Sequence, residues 1–277
     1  MIMEKARILY VNQEIVPYSD DSYLSNLSRY LPQGIQERGK EIRTFMPRFG
    51  AINERKNQLH EVIRLSGLNM VINNADHQLI IKVASIQSAR MQVYFIDNDD
   101  YFNRKATVVD KDDNFFEDND ERSMFYTKGV LETVKKLGWQ PNIVHCIGWF
   151  AGMFPFYIKR VYKDNPLFTD TKVVLTLFSD EFHAELSSDT AKKLKLDGAT
   201  PKDLKFYQEP LNYMNYMKAA INYSAGVVLG DENVNPELID YAKKNKKPVL
   251  EYPANGLLEN LDSLNAFYNS IIGKIKE

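Results

Sequence analysis

One cysteine in 277 residues leaves no intrachain disulfide to hold the fold. That residue, Cys146, lies in an apolar run and reads as a buried, inert thiol rather than a nucleophile. Basic residues are not in excess either. The 35 Lys and Arg stand against 37 Asp and Glu, a formal charge of −2. With no long Lys/Arg block, nucleic acid is not an expected partner. No run approaches the roughly 20 apolar residues of a membrane span, and Met1 to Tyr10 lacks a charged start followed by a long apolar stretch. The expectation is a soluble chain in a reducing, cytoplasmic setting, without a membrane partner.

What is present is an ordinary core-forming composition, 44% hydrophobic and 26% charged. The opening segment, Ala6 to Phe49, is the most informative. Ile8-Leu9-Tyr10-Val11 is a short apolar run of the kind a parallel strand shows when both faces are buried. Pro17 and Ser19-Asp20-Asp21-Ser22 break it, and Asp21 or Ser22 can cap a following helix. Leu24, Leu27, Leu31 and Ile35 give that helix one apolar face. Pro32 falls inside the pattern and is expected to kink or shorten it, and Gly39 to end it. Ile42 to Met46 supplies a second strand. Strand, helix and strand at this spacing form a βαβ unit with a right-handed crossover. Ligands of open parallel sheets bind beyond the carboxyl ends of the strands, which points to Glu14 to Tyr23.

Residues 59–96 read as an antiparallel excursion with a hairpin turn at Asn73-Asn74-Ala75-Asp76, rejoining the sheet near Val93 to Ile96. Asp97 to Arg122 carries ten Asp or Glu and few aliphatics, and reads as a surface loop. Its Asp110 to Asn114 stretch lacks the glycine and the final Glu of a calcium loop. Ser123 to Leu137 reads as a helix, Ile143 to Cys146 as a strand, and Gly148 to Tyr162 as a second apolar helix. Lys172 to Leu177, Ala225 to Leu229 and Pro248 to Leu250 follow as strands; Leu211 to Tyr223, Pro236 to Asn245 and Leu257 to Lys276 as helices. Residues 181–209 are polar and helical in pieces. The alternation gives an α/β fold, a doubly wound parallel sheet with a β-hairpin excursion, and one domain over 1–277.

Four blocks then carry a likeness. They are Glu14-Ile15-Val16-Pro17-Tyr18 with Leu24, Leu27, Leu31-Pro32, Gly39 and Pro47-Arg48-Phe49; Asp97-Asn98 with Tyr101-Phe102 and Arg104; Asp118 to Arg122 with Phe125, Leu131 and Glu132; and Trp139 to His145 with Trp149. In order and spacing the chain resembles, over residues 6–162 and more weakly to about 245, the N-terminal catalytic domain of bacterial glycogen synthases and plant starch synthases. The resemblance implies a Rossmann-like half of a two-domain glycosyltransferase fold. It also implies glucosyl transfer from a nucleotide-glucose to an α-glucan. It implies no cofactor and no metal.

Departures from the family pattern fall on its working residues. The lysine of the K-x-G-G-L loop aligns with Asp20 and its glycines with Ser22 and Tyr23. Glycines allow close backbone approach and lysine meets phosphate charge. Asp20 and Asp21 repel a diphosphate instead, by about 1 kcal/mol or more per close pair. The H-D-W-H run aligns with Ile147-Gly148-Trp149-Phe150, and a later His-Asn pair with Phe178-Ser179. No catalytic residue is therefore assigned. The family's second domain grips the nucleotide, and this sequence shows no such segment. The expectation is a protein inactive alone, or one needing a partner chain that supplies that domain. The alternative is a catalytically dead glucan-binding or regulatory module.

The residues expected to meet a nucleotide-sugar or glucan are Glu14, Tyr18, Asp20, Tyr23, Arg122, His145 and Trp149. Glu14 reads equally as a ligand contact or a structural capping carboxylate. Arg122 reads as a clamp or, preferably, a solvated helix start, and His145 as a ligand contact or, more simply, a hydrogen-bonded core histidine. His183, beside Asp180, Glu181 and Glu185, has a ligand-like setting but reads as surface. Trp149, Phe150, Phe154 and Phe156 read as a sugar-stacking surface or, at helical spacing, as core.

Overall fold

The computed structural model describes residues 5–208 and 210–273. The last part of the C-terminal helix expected from sequence, 274–276, lies outside the described residues. The chain opens with β1 (Arg7–Asn12), α1 (Tyr23–Glu37) and β2 (Glu41–Pro47). The excursion follows as β3 (His60–Glu61), β4 (Leu68–Ile72), β5 (Ala75–Ile86) and β6 (Met91–Asp97). Then come α2 (Asp99–Phe102), α3 (Asn119–Lys136), β7 (Ile143–Ile147), α4 (Phe154–Phe156) and β8 (Lys172–Leu177). The rest is α5 (Thr190–Leu196), α6 (Pro201–Leu204), α7 (Tyr213–Tyr223), β9 (Gly226–Leu229), α8 (Pro236–Lys244), β10 (Val249–Leu250) and α9 (Leu261–Ile272).

The strands pair in the order β10-β9-β8-β7-β1-β2-β6-β5-β3, with β4 on β5. From β10 to β6 every ladder is parallel. The excursion β3 to β6 is antiparallel, as its sequence implied. Its turn residues Asn73 and Asn74 both have positive φ, which asparagine tolerates. Strand order reverses between β1 and β7, and that is the switch point where α/β sheets bind ligands.

Period-two alternation sorts the two faces. Leu9, Val11, Val144, Cys146, Val173 and Leu175 enter one cluster with Phe125, Val130, Leu131 and Val134 of α3. Ile8, Tyr10, Ile143, Ile147 and Val174 enter another with Leu27, Leu31 and Ile35 of α1 and Leu264 and Tyr268 of α9. Each such Leu or Ile, fully buried, contributes about 2 kcal/mol of transfer free energy. Helix α1 starts on a reciprocal serine cap: Ser25 N donates to Ser22 Oγ at 3.0 Å and Ser22 N to Ser25 Oγ at 2.9 Å. Pro32 neither shortens nor ends it; the helix runs on to Glu37 before Gly39 takes φ +87°. Helix α1 packs closely onto the start of α9 at Gly34, where an added Cβ would sit 2.2 Å from Leu261.

Three expectations change. The helix expected over 148–162 is broken into a 3₁₀ turn (Trp149–Ala151), the single turn α4 and a π turn (Tyr157–Val161). Pro155 removes a donor within that run. Gly152 lies so close to Tyr216 that an added Cβ would be 2.5 Å from its ring. The acidic loop 97–122 is anchored rather than free: Asp97 is buried between Arg48 Nη2 (2.8 Å) and Lys82 Nζ (3.0 Å), and Tyr101 and Phe102 are buried on α2.

Arg122 is no solvated helix start. It is fully buried, with its guanidinium 5.2–5.8 Å from the rings of Phe49, Phe102, Phe116 and Phe150. Its Nε donates to Tyr101 O (2.8 Å) and its Nη1 to Asn119 Oδ1 (2.6 Å). No carboxylate pairs with it among the described residues, and burial pulls its pKa down to about 10. It is a structural cation, not a substrate clamp.

His145 is likewise in the core. Its ring nitrogens meet Tyr268 OH and Thr176 Oγ1, each at 2.5 Å, and Tyr268 OH meets Tyr10 OH at 3.0 Å. Burial lowers the imidazole pKa to about 3 from an ordinary 6.5, so the folded form is neutral.

Two outcomes follow. An unfolded His145 takes up a proton below about 6.5 and the folded one only near 3, so stability from this group is full above 6.5 and falls with acid. The unfolding free energy of wild type relative to His145→Gln should fall with a slope approaching about 1.4 kcal/mol per pH unit across that window. Parallel urea-unfolding curves for the two proteins would show the imidazole to be exposed. Arg122→Ala should cost about 3 kcal/mol, from lost packing plus two unpaired acceptors, with Arg122→Lys rescuing less than half. Unchanged thermal unfolding of Arg122→Ala would refute the aromatic-cage reading.

Candidate functional site

The loops after β1, β7, β8 and β9 meet at the switch point. Gln13 joins the first two: its N–H donates to Ile147 O at 2.9 Å and its Oε1 accepts from Phe150 N at 3.1 Å. Gly148 must approach it closely. Its φ is +85°, and an added Cβ would lie 2.7 Å from Gln13 Cβ. Asn12 donates across to Phe45 O at 3.1 Å. These contacts fix the floor of a cleft of about 670 Å³, walled by Gln13, Trp149, residues 108–109, residues 113–115 and residues 180–184.

One wall is aromatic. Trp149 and Phe182 stand 4.7 Å apart, Phe115 and Phe182 stack at 5.0 Å, and Phe115 lies 5.6 Å from Trp149. Trp149 is almost wholly buried, whereas Phe115 and Phe182 are half-buried and present their rings to the cleft. Phe115 arrives on a stiffened loop. Asp110 Oδ1 accepts from Asp112 N (2.8 Å) and Asn114 N (2.9 Å), and Val109 bridges to Phe115.

The other character of the site is acidic. Asp180 accepts from Tyr213 OH (2.8 Å) and Trp149 N (3.2 Å), and burial raises its pKa. Glu14 is half-buried. Burial raises its pKa, and the charges of Asp20 and Asp180 raise it further. Asp231 at the tip of β9 accepts from Ser179 N at 2.8 Å. Glu181 accepts from Asn235 Nδ2 at 3.0 Å. Among the described residues, no lysine or arginine lines the cleft. Among the described residues, no cluster of His, Cys, Asp or Glu has a metal-holding arrangement.

Of the seven residues singled out in the sequence, four stand at the strand tips: Glu14, Asp20, Tyr23 and Trp149. Tyr23 is exposed and its hydroxyl meets Tyr252 OH at 3.3 Å over the rim. Tyr18 turns away. Its ring packs edge-on against Phe95 at 4.9 Å within a separate cluster of Ile15, Met46 and Ile52. Arg122 and His145 lie in the core. The sequence reading missed Gln13, Phe115, Asp180, Phe182 and Asp231 as site residues. Asp180 and Phe182 directly follow β8, so the strand-tip rule applied to every strand finds them. Phe115 sits in a polar run, and nothing local marks it.

The starch synthase catalytic domain family matches residues 7–250. A glycogen synthase of Chlorobium limicola is 38% identical over 178 residues, covering 64% of this chain and 36% of the relative. One from Chlorobaculum tepidum is 34% identical over 208 residues, 72% of this chain and 43% of the relative. The chain thus spans about two fifths or less of these relatives' length. The catalytic domain of starch synthase IV from Arabidopsis thaliana, solved with ADP and acarbose, superposes with a TM-score of 0.71 at 15% identity, over 90% of this chain and 51% of that one. That likeness concerns the fold, an α/β glycosyltransferase domain with a largely parallel sheet. With the family's sequence match extending across nearly the whole described chain, from β1 to β10, this protein belongs to the starch synthase catalytic domain family.

Proposed function

We propose that this chain serves α-glucan synthesis, with residues 1–277 acting as one domain whose cleft receives the glucan while the nucleotide-glucose is gripped elsewhere. The observation that carries this reading is the cleft lining, aromatic on one side, acidic at the mouth and without a lysine or arginine. Half-buried rings suit the apolar faces of glucose units, and carboxylates accept from their hydroxyls. The same carboxylates disfavour a diphosphate. Asp20, Ser22 and Tyr23 stand where the family's lysine and glycines approach the phosphates. The Arabidopsis relative holds ADP and acarbose together, which supports the two ligand classes but not their place here.

On this reading the isolated chain transfers no glucose, and activity needs a nucleotide-binding domain from a partner chain or from further sequence. The work would be cytoplasmic. The single buried thiol of Cys146 suits that setting, and no helix among the described residues is long and apolar enough to cross a membrane. A second reading, a glucan-sensing or regulatory module without catalysis, is favoured by the same replaced loop. Pairing the chain with candidate partner domains separates the two, since only the first regains transfer from ADP-glucose to glycogen.

Two measurements test the cleft itself. Phe115→Ala and Phe182→Ala should each weaken retention on a glycogen affinity gel by roughly five- to tenfold, the worth of one stacking contact, while leaving thermal unfolding within a few degrees. Retention that does not change in either variant removes the glucan from this cleft. Asp20→Lys, on an exposed loop, should raise ADP affinity by roughly tenfold through reversal of one close charge. If wild type already binds ADP at micromolar levels, the division of labour proposed here is wrong.

A further inference from the structure

A second recess lies at the amino ends of β2 and β6, at the other end of these strands from the cleft. Its inner part, about 210 Å³, is walled by Arg43, Arg90, Gln36, Gln92 and Tyr94. A continuation of about 460 Å³ shares Gln36 and Arg90 and adds Gln33, Ser88 and, at its outer side, the carboxylate of Glu37. The inner walls contain two arginines and no carboxylate, in a chain whose acidic residues outnumber its basic ones.

The arginines are held ready rather than neutralised. Arg43 donates from Nη1 to Tyr94 OH at 3.0 Å, and its guanidinium lies 5.2 Å from the Trp139 ring and 5.9 Å from that of Tyr94. Its Nε is buried without a hydrogen-bond partner. The nearest acid on its strand, Glu41, is engaged by Arg7 at 3.2 Å and by the Trp139 indole at 2.5 Å. Glu37 accepts from Gln33 at 2.9 Å. Neither Arg43 nor Arg90 has an ion-pair partner among the described residues. Arg90 also sits at φ +49°, a left-handed conformation that a branched cation gains nothing from locally and that glycine would adopt freely. It closes the short turn before β6, with its own N–H on Gln87 O at 3.1 Å, so its side chain starts from a fixed position at the rim.

We propose that this recess binds the phosphate of a small polyhydroxylated metabolite, a sugar monophosphate in chemical class. Guanidinium forks match phosphate oxygens geometrically, and the glutamine amides and the Tyr94 hydroxyl provide partners for hydroxyl groups. The site is distinct from the glucan cleft. Arg43 lies four residues before the end of β2, about 13 Å along an extended strand from the switch-point side. It is independent of what that cleft binds.

The test uses the full chain and two substitutions. Arg43→Gln removes the half-buried charge of the inner wall, and Arg90→Gly removes the rim charge while relieving the left-handed backbone. Calorimetric titration with glucose 6-phosphate, inorganic phosphate and free glucose, at constant ionic strength, should show binding of the ester and of phosphate, and none of glucose. Each substitution should weaken both by roughly tenfold or more, the loss of one charge-assisted hydrogen bond. Arg90→Gly should keep or raise the melting temperature, so its loss of binding cannot come from unfolding. Ester binding should persist in Phe115→Ala, which separates it from the glucan cleft. Absence of heat with both phosphates, or binding that neither substitution weakens, overturns the proposal.

Discussion

Everything at the working edge of this molecule depends on how Gln13 ties the tips of two strands together. The β1–β7 ladder is in parallel register through Asn12 and Ile147, and Gln13 continues it by one more backbone bond. Its side chain then turns back to accept from Phe150 N. That single residue satisfies one acceptor, Ile147 O, and one donor, Phe150 N, that would otherwise be left without partners as the strand ends. The geometry leaves no room for a side chain at position 148. The chain after β7 is thereby folded back so that Trp149 N meets Asp180 and the indole meets Phe182. Floor, aromatic wall and acidic rim follow from one junction.

Charge is divided by position rather than by total. The formal balance of −2 hides a carboxylate-rich mouth at the carboxyl ends of the strands and arginines at the amino ends of β2 and β6. Inside, charge is handled in two ways. Asp120 is paired with Lys193 at 2.8 Å, and Asp97 with Arg48 and Lys82, so those ions are offset locally. Arg122 is instead surrounded by phenyl rings and backbone oxygen, which lower the cost of its burial without a counter-ion, while the burial itself pulls its pKa down. The carboxylates at the mouth have no cation in the lining to offset them. A second negative ligand group there meets the full repulsion, whereas a neutral hydroxyl meets an acceptor.

Much of the fold was legible because local signals and global topology agree. The buried apolar run of β1, the serine cap of α1, glycine at its end, and paired asparagines in the hairpin each state a backbone preference that the tertiary structure keeps. The misreadings share a cause. Arg122 and Tyr18 are polar or amphipathic residues whose fate depends on what packs around them from distant sequence: Phe49 and Phe150 for the arginine, Phe95 for the tyrosine. At His145 the simpler of the two readings, a hydrogen-bonded core histidine, holds, but its partners Tyr268 and Thr176 are equally distant in sequence. No periodicity carries that information. Pro32 went the other way, since a local helix-breaking preference of about 3 kcal/mol yielded to packing along the whole apolar face. At the site, the strand-tip rule pointed to the loop after β1 that carries Glu14, Asp20 and Tyr23, and the family resemblance pointed to Trp149, which lines the cleft. The rule was silent on Phe115, which reaches the cleft only because a loop from a separate crossover folds over it.

The far side of the sheet limits how a second domain can engage. Helices α1 and α9 cover one face, and α9 is locked to it by Tyr268, whose hydroxyl meets both Tyr10 and His145 beneath the apolar layer. Helix α3 and the segment from α4 to α8 cover the other. On the proposed reading, a second domain would have to approach over the strand tips, where Tyr23 and Tyr252 meet through their hydroxyls. Exposed Tyr23, backed by half-buried Tyr252, offers apolar area with hydroxyl edges, a composition suited to a contact surface that is wet part of the time. If Tyr23 stands where the family resemblance puts a phosphate-approaching glycine, the exchange has a physical meaning beyond loss. It exchanges close backbone access to an anion for a side chain that can bear on whatever closes the cleft from above.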